Sequence, residues 1–496
     1  MPTELITTSP QEAQTIESRY RIISKSVDAR QRNLRVNLSV LTDGQGRRVD
    51  KDAPVPLYAP PCFQDVSHAD KAVYIIGAGP AGLFAALTLL EKGVKPIVFE
   101  RGKEVGARKK DIALLNRNLG LNSESNYCFG EGGAGTFSDG KLFSRSKKRG
   151  NMQRVMELFH YFGAPDTVLY ETHAHIGSDR LPAIIKAMRQ CILQHGGEIH
   201  FGTTFHFRAG ESTLPAHPII VAIGHSAHDT YRELAHLGVR LEAKGFAMGV
   251  RVEHPQTLIN RLMYHNPLPE VVDIVGNASY SLVTQVQARG VYSFCMCPGG
   301  HIVPAGSSTG SCVVNGMSAS HRNSPFANSG MVVEIRPEDI DSKPSWETNL
   351  LYQEQLEHCA FAHGAAANKA PAQRLRDFVE GRTSASLPQT SYLPGTVASR
   401  LDEWLPAHIG ARLRQGFRDF DRKYRGFVTN EAVVLGVESR SSSAVRIPRD
   451  RDTLRAYVAD DSWRIYPAGE GAGYAGGITS SALDGIHVAL SIVQTL

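Results

Sequence analysis

Residues 73–82 read Val-Tyr-Ile-Ile-Gly-Ala-Gly-Pro-Ala-Gly, an apolar stretch runs on to Leu90, and residues 96–100 read Pro-Ile-Val-Phe-Glu. An apolar run followed by three glycines at G-x-G-x-x-G spacing predicts a strand turning sharply into a helix. The second apolar run predicts a parallel partner strand ending in an acid. Gly77 permits the tight turn, Gly79 lets backbone approach a pyrophosphate, and Gly82 lets the helix pack closely on the sheet. Pro80 and Ala81 open that helix, whose free N–H groups and positive dipole end face the same phosphates. Glu100 stands 18 residues after Gly82 (100 − 82), where a carboxylate hydrogen-bonds a ribose hydroxyl and repels a 2′-phosphate. Together these features predict a dinucleotide site.

Two further stretches match the same glycine spacing and show why context decides. Gly130-Glu-Gly-Gly-Ala-Gly135 runs into Thr136-Phe-Ser-Asp-Gly140, where no helix starts cleanly. Gly471-Ala-Gly-Tyr-Ala-Gly476 follows a strand-like Trp463-Arg-Ile-Tyr466 and precedes a helix. The 20 residues beyond it (496 − 476) leave no room for a second strand and its acid. One dinucleotide is expected, not two.

At 496 residues, two or three domains are expected, and 42% hydrophobic against 21% charged residues marks a globular chain. A net charge of +5 is mild for this length, so nucleic acid is not an expected partner. The apolar run 73–90 contains the glycine turn and ends at Glu91-Lys92-Gly93, which predicts no membrane span. Met1-Pro-Thr-Glu-Leu-Ile6 has no basic stretch before an apolar one, which predicts no secretory signal. Seven cysteines at irregular spacing predict reduced thiols in a cytoplasmic protein rather than a disulfide framework.

Residues 1–65 read as a small separate unit, with strands at 20–23 and 34–41 and a stiff linker at Pro54, Pro56, Pro60 and Pro61. Its arginines at 19, 21, 30, 32 and 35 read as a solvated face, with an acidic partner as the other reading. The dinucleotide domain is expected over 70–240. There, Leu181, Ile184, Ile185, Met188, Cys191 and Ile192 recur at helical spacing, Gly196-Gly197 ends that helix, and 198–201 and 217–224 read as strands. Residues 246–253 and 290–295 read as antiparallel strands, with helices near 345–365 and 401–419. So 241–430 is expected to be an inserted cap, with 431–496 returning to the first domain.

The stretches 73–102, 125–142, 175–181, 291–300, 314–317 and 466–486 together resemble a family of bacterial FAD-dependent dehydrogenase-like proteins. More distantly they resemble the geranylgeranyl-reductase and phenol-hydroxylase flavoprotein superfamily. The resemblance implies an α/β fold: a discontinuous Rossmann-like FAD-binding domain with an inserted mixed α+β cap and a small N-terminal α+β unit. It implies FAD held non-covalently, since no attachment His or Cys stands beside a recognisable attachment sequence. Glu100 and Arg101 would then sit at the adenosine end. Gly132, Gly133, Gly135 and Thr136 would lie along the pyrophosphate and isoalloxazine, with Lys141 facing the flavin or a substrate anion. Backbone at Phe205 would hold adenine, and Gly224 would contact the adenosine or pyrophosphate. Gly469-Glu470 matches the superfamily's Gly-Asp motif, whose carboxylate takes a ribityl hydroxyl; here the acid is one methylene longer. Gly476, Gly477 and Ile478 would open a helix whose dipole stabilises negative charge at flavin N1 and C2=O.

Catalytic residues are not fixed by the sequence; the candidates are Lys141, Cys295, Cys297 and Arg440. Cys295 and Cys297 share a face if their strand is regular, so they are either a redox pair or two buried hydrophobes. Arg440 and Arg446 are candidate anion binders, and the basic loop 145–149 is either solvated or holds a phosphate. His225 is a weaker candidate acid. His173 and His175 also share a face, but no partner stands at metal spacing, so no metal is expected. Tyr280, Tyr292, Phe294 and Met317 are candidates to line a substrate pocket. The reading is an FAD-dependent oxidoreductase, dehydrogenase or reductase, moving hydride through flavin N5 to or from a small molecule. NAD(P)H or a protein is an open electron donor. An NAD(P)H-dependent monooxygenase and an RNA-modifying or RNA-binding flavoprotein are the alternatives.

Overall fold

The computed structural model describes residues 2–53, 58–143, 150–207, 217–365, 368–460 and 462–496. The basic loop 145–149 and linker residues Pro54 and Pro56 lie outside the described residues.

Five parallel strands form the sheet to which the glycine turn belongs, in the order Ile465–Pro467, Ile219–Val221, Ala72–Ile76, Lys95–Glu100, Glu198–Phe201. Ala72–Ile76 is central and nearly buried throughout, as expected of a strand covered on both faces. Helix Pro80–Glu91 follows the turn and is buried from Ala81 to Leu90. Helix Leu181–Gln194 packs with all six of its expected apolar positions buried. Helix Ile478–Thr495 crosses helix Pro80–Glu91 at Gly485, where a Cβ would stand 2.1 Å from the Ala81 carbonyl oxygen. The last strand and helix thus complete the first sheet domain, which is discontinuous as expected.

The cap is built on a seven-stranded sheet in the order Val283–Val286, Arg289–Cys297, Phe326–Ile335, Phe246–Pro255, Val433–Glu438, Ala370–Arg374, Thr396–Ala398. Val433–Glu438 was expected to fall in the returning segment 431–496. It is instead an inner strand of this sheet, paired antiparallel to Phe246–Pro255 and to Ala370–Arg374. Its six residues are all buried, and a short run apolar up to its terminal Glu438 carries no mark of which sheet it joins. Helix Ala407–Lys423 covers the sheet with Ile409, Leu413, Phe417 and Phe420.

The N-terminal unit is a three-stranded antiparallel sheet, Thr3–Thr8, Arg35–Leu41, Ile22–Asp28. Helix Pro10–Arg19 covers it, capped by the Ser9 hydroxyl, which accepts from Glu12 N. Ala13, Ile22, Val36, Leu38 and Val40 form its core, against which Val275 of the cap packs. No described helix is long and apolar enough to cross a membrane.

Candidate functional site

The carboxyl ends of the parallel strands, the loop 128–141 and the cap enclose a cavity of about 380 Å³. This is where open α/β sheets bind ligands, because the strand ends diverge there and helix N-termini point inward. Two helices open onto it without a side-chain cap. Gly79 precedes helix Pro80–Glu91, and Gly477 precedes helix Ile478–Thr495; neither end is satisfied by a neighbouring side chain. Uncapped helix N-termini present unpaired N–H groups and partial positive charge, which suits an anion such as a pyrophosphate.

The glycines divide into two groups. Gly77 has φ +105°, and a Cβ there would lie 2.5 Å from the Ala222 carbonyl oxygen. A Cβ on Gly82 would lie 1.9 Å from the Gly77 oxygen, so both are required by the protein itself. Gly224, Gly476 and Gly477 would meet nothing within 4 Å, and Gly79 only Gly133 Cα at 3.8 Å, yet all four line the cavity. Gly224 is held at φ +68°, which itself favours glycine, whereas no protein contact calls for glycine at Gly79, Gly476 or Gly477, and the open space beside them suits a ligand.

Of the expected cofactor residues, Gly77, Gly79, Pro80, Ala81, Glu100, Arg101, Gly133, Gly135, Phe205, Gly224, Glu470, Gly476, Gly477 and Ile478 line this cavity. Gly82, Gly132, Thr136 and Gly469 do not. Gly82 serves the helix–sheet contact. Gly132 and Thr136 are used internally: a Cβ on Gly132 would strike the Thr136 hydroxyl, which itself donates to Glu131 O at 2.8 Å. Gly469 packs against Ala81 and donates its N–H to Asp484. Asp484, held in turn by Arg449, is a support that the Gly-Glu pair did not reveal.

Glu100 is buried, and its carboxylate accepts three backbone N–H bonds, from Ala78 (2.9 Å), Gly102 (2.8 Å) and Gly130 (3.0 Å). It ties the glycine turn to the loop 128–135 and keeps lone-pair capacity on Oε2 for a hydroxyl. Arg101 is pinned by Glu124 and Asp229 and lies over the Phe129 ring. The Phe205 side chain packs against Tyr74, Phe99 and Phe207. Arg108, missed in the sequence because Lys109 and Lys110 beside it read as surface, is wholly buried. It donates to Asn126 O, Tyr127 O and Glu131 O and so shapes that loop.

On the cap side, Lys141 Nζ lies 2.8 Å from Asp139, 3.9 Å from Cys295 Sγ and 3.5 Å from Cys297 Sγ. Burial opposes the Asp139 charge, but Lys141 and Arg322 outweigh it and hold the carboxyl at about 2. Cys295 faces the cavity; Cys297 lies behind it, fully buried. Arg251 is buried against Glu438 at 2.6 Å, and burial pushes the Glu438 carboxyl up to about 7 despite that charge. A charged residue at 251 between Val250 and Val252 of a buried strand was the available signal for this pair. Arg440 is gripped by Glu357 (2.8 Å) and donates to Ser307 (2.7 Å) and Ser226 (3.1 Å). A side chamber of about 60 Å³, lined among others by Ser226, Asn315, Glu438 and Arg440, adjoins the main cavity.

The remaining expected residues divide between this cavity and other parts of the fold. His225 lines the cavity 3.6 Å from Glu470. His173 tilts on Phe143, and His175 bonds Ser320 O. Among the described residues, no three His, Cys, Asp or Glu side chains gather as a metal site. Arg446 lies over the Tyr474 ring, outside the main cavity. Phe294 alone of the four pocket candidates lines the cavity; Tyr280 packs on Phe427 and Met317 on the Val105 cluster. A larger, open recess of about 1280 Å³ between the N-terminal unit and the cap is lined by Arg30, Arg32, Arg35 and Arg261. No part of the glycine motifs reaches it, so the chemistry is assigned to the smaller cavity.

A parallel sheet with this glycine turn, closed by a cap, is the fold of a dinucleotide-binding protein. Residues 75–131 match the NAD(P)-binding Rossmann-like domain, and residues 245–441 match the FAD-dependent protein, C-terminal domain-like family. An uncharacterized protein of Clostridium beijerinckii is 38% identical over 509 residues, covering 96% of this chain and 92% of that one. The chain belongs to the family of that relative, with FAD as its cofactor. The small chain of an NADPH glutamate synthase from Halomonas elongata is 52% identical over 46 residues, 9% of this chain and 10% of that one. Among solved structures, CtdE in complex with FAD covers 86% of this chain and 84% of its own at 11% identity and a TM-score of 0.31. A likeness that slight carries no inference. The residues present fit FAD: open glycines and two uncapped helix ends lie along one cavity, with a carboxylate at the second strand's end.

Proposed function

We propose that the protein is an FAD-dependent oxidoreductase acting on a small molecule, with FAD held non-covalently along the 380 Å³ cavity. The observation that carries this reading is the convergence of two uncapped helix N-termini and four cavity-lining glycines whose side-chain positions are empty. In this reading Gly79 to Ala81 receive the pyrophosphate, and Glu100 takes an adenosine ribose hydroxyl. Glu470 takes a ribityl hydroxyl. The N–H groups of Gly477 and Ile478 stabilise negative charge on the flavin ring, while Gly476 N–H donates to Ser480 Oγ and shapes the turn before them.

Bound FAD supplies two-electron transfer at flavin N5. The chain's own residues do the rest. Arg440, already fixed by Glu357, presents a guanidinium edge between the cavity and the side chamber and would orient an anionic or carbonyl-bearing substrate. Glu438, with its carboxyl at about 7, can carry or release a proton near neutral pH beside that chamber. The same residues serve a dehydrogenase and a reductase, so the direction is set by the substrate.

The test is the absorption spectrum of the purified protein, followed anaerobically as NADH and then NADPH are added. Bound flavin bleached by either nucleotide supports an enzyme that draws on a nicotinamide donor. Flavin that neither bleaches supports dehydrogenation of the substrate or a protein donor. Absence of flavin after FAD is supplied overturns the reading.

A further inference from the structure

Cys295 and Cys297 do not sit as two hydrophobes on a regular strand. Phe294 pairs with Gly330 and Cys297 with Asn328, so an irregularity interrupts the strand between them. Cys295 there takes φ +45°, a left-handed conformation that costs energy in a residue with a side chain. Such bulges re-aim side chains, and this one leaves Cys295 on the cavity wall. Both sulfurs gather about one ammonium: Lys141 Nζ is 3.9 Å from Cys295 Sγ and 3.5 Å from Cys297 Sγ, and Asp139 holds it in place. Arg251 adds a second cation, 3.8 Å from Cys297 Sγ, while donating to Cys295 O at 2.7 Å.

Two buried apolar cysteines would have no use for an ammonium and a guanidinium; thiolates do. The pair is also asymmetric. The hydrogen bond from Cys297 and the charges of Lys141 and Arg251 hold the Cys295 thiol well below its ordinary range, and its neighbour and burial push Cys297 up. Two cations beside two neighbouring sulfurs favour one thiolate charge on the pair, with one proton left between them. That is the division of labour of a thiol–disulfide couple.

We propose that Cys295 and Cys297 form a dithiol–disulfide couple that exchanges an electron pair with FAD in this cavity. The inference rests on the FAD reading above. On oxidation, one S–S bond forms between Cys295 Sγ and Cys297 Sγ, the remaining S–H bond of the pair breaks, and its proton is taken up by the flavin as it is reduced. The electron pair passes to the oxidised flavin. Reduction runs the same balance backwards, with reduced flavin as the donor. Lys141 is a positioning residue that stabilises the thiolate charge of the pair.

The test uses the full-length holoprotein, with flavin content measured by absorbance in the same sample. Anaerobic dithionite titration is expected to consume two electron pairs per flavin in the wild type and one in Cys297→Ser. Alkylation in denaturant, read by mass spectrometry, is expected to modify all seven cysteines after reduction and two fewer after oxidation, the loss mapping to the peptide with Cys295 and Cys297. If Cys297→Ser fails to fold, Cys295→Ser gives the same comparison, and the wild-type alkylation needs no variant. Lys141→Met is expected to move the pH at which Cys295 alkylates upward. A flavin-bearing wild type that takes one electron pair and alkylates fully in both states overturns the couple while leaving the FAD reading intact. A preparation that binds no FAD overturns both.

Discussion

The turn after the first parallel strand and the turn before the last helix look alike in sequence and are held by different things. In the first, Gly77 and Gly82 abut the protein's own backbone, at 2.5 and 1.9 Å from where a Cβ would stand. In the second, Gly476 and Gly477 meet nothing within 4 Å. The first turn would keep Gly77 and Gly82 with no ligand at all, and only its Gly79 stands open. The second has reason to keep its glycines only if something lies against it. A glycine pattern therefore records two separate causes, and only the space around each residue tells them apart.

Breaking the first turn should have the largest effect. Gly82→Ala forces a methyl into the Gly77 carbonyl and is expected to cost about 3 kcal/mol or more, read as a lower melting temperature of the apoprotein. Ion-pair locking is tested at Asp139, whose carboxyl sits at about 2 against an ordinary 3.8. A depressed folded value gives stability that is present above pH 4 and lost as pH falls towards 2. Asp139→Asn should remove that acid-sensitive part, about 2–3 kcal/mol, and flatten the acid-unfolding curve in that window. Gly477→Ala sharpens the contrast with Gly82. The apoprotein should melt unchanged while FAD affinity falls about tenfold, a loss of about 1.4 kcal/mol, measured by flavin titration. Smallest is Glu100→Gln, which loses charge at three amide bonds and should lower apoprotein stability by about 1 kcal/mol. An apoprotein destabilised equally by Gly82→Ala and Gly477→Ala would erase the distinction.

What the sequence made legible was local. The strand, turn, helix and acid of 73–100 fall within one short unit, and the helix Leu181–Gln194 shows its six buried positions at the right spacing. What stayed hidden was assembled across the chain. Lys141, Cys297 and Arg251 meet only because the cap folds back over the loop 128–141, and no spacing rule joins residues so far apart. Thr136 and Gly132 sit in a stretch that resembles a cofactor loop, but their contacts are with each other. Val433–Val437 is an apolar run ending at Glu438 and gave no hint that it joins the cap sheet. Arg108 reads as one of three adjacent cations; only burial shows it holding the loop from beneath.

Gly485 against Ala81 joins the two uncapped helices along their length, so the ends that face the cavity are one object made from distant parts of the chain. Gly79 and Ile478 are 399 residues apart (478 − 79). During synthesis, the first half of the cradle emerges long before the second can reach it. With FAD placed across both ends as proposed, flavin capture is a closing event in the making of the protein rather than a nucleus for it. A nascent chain halted before residue 478 should hold no flavin, however well its first sheet has formed.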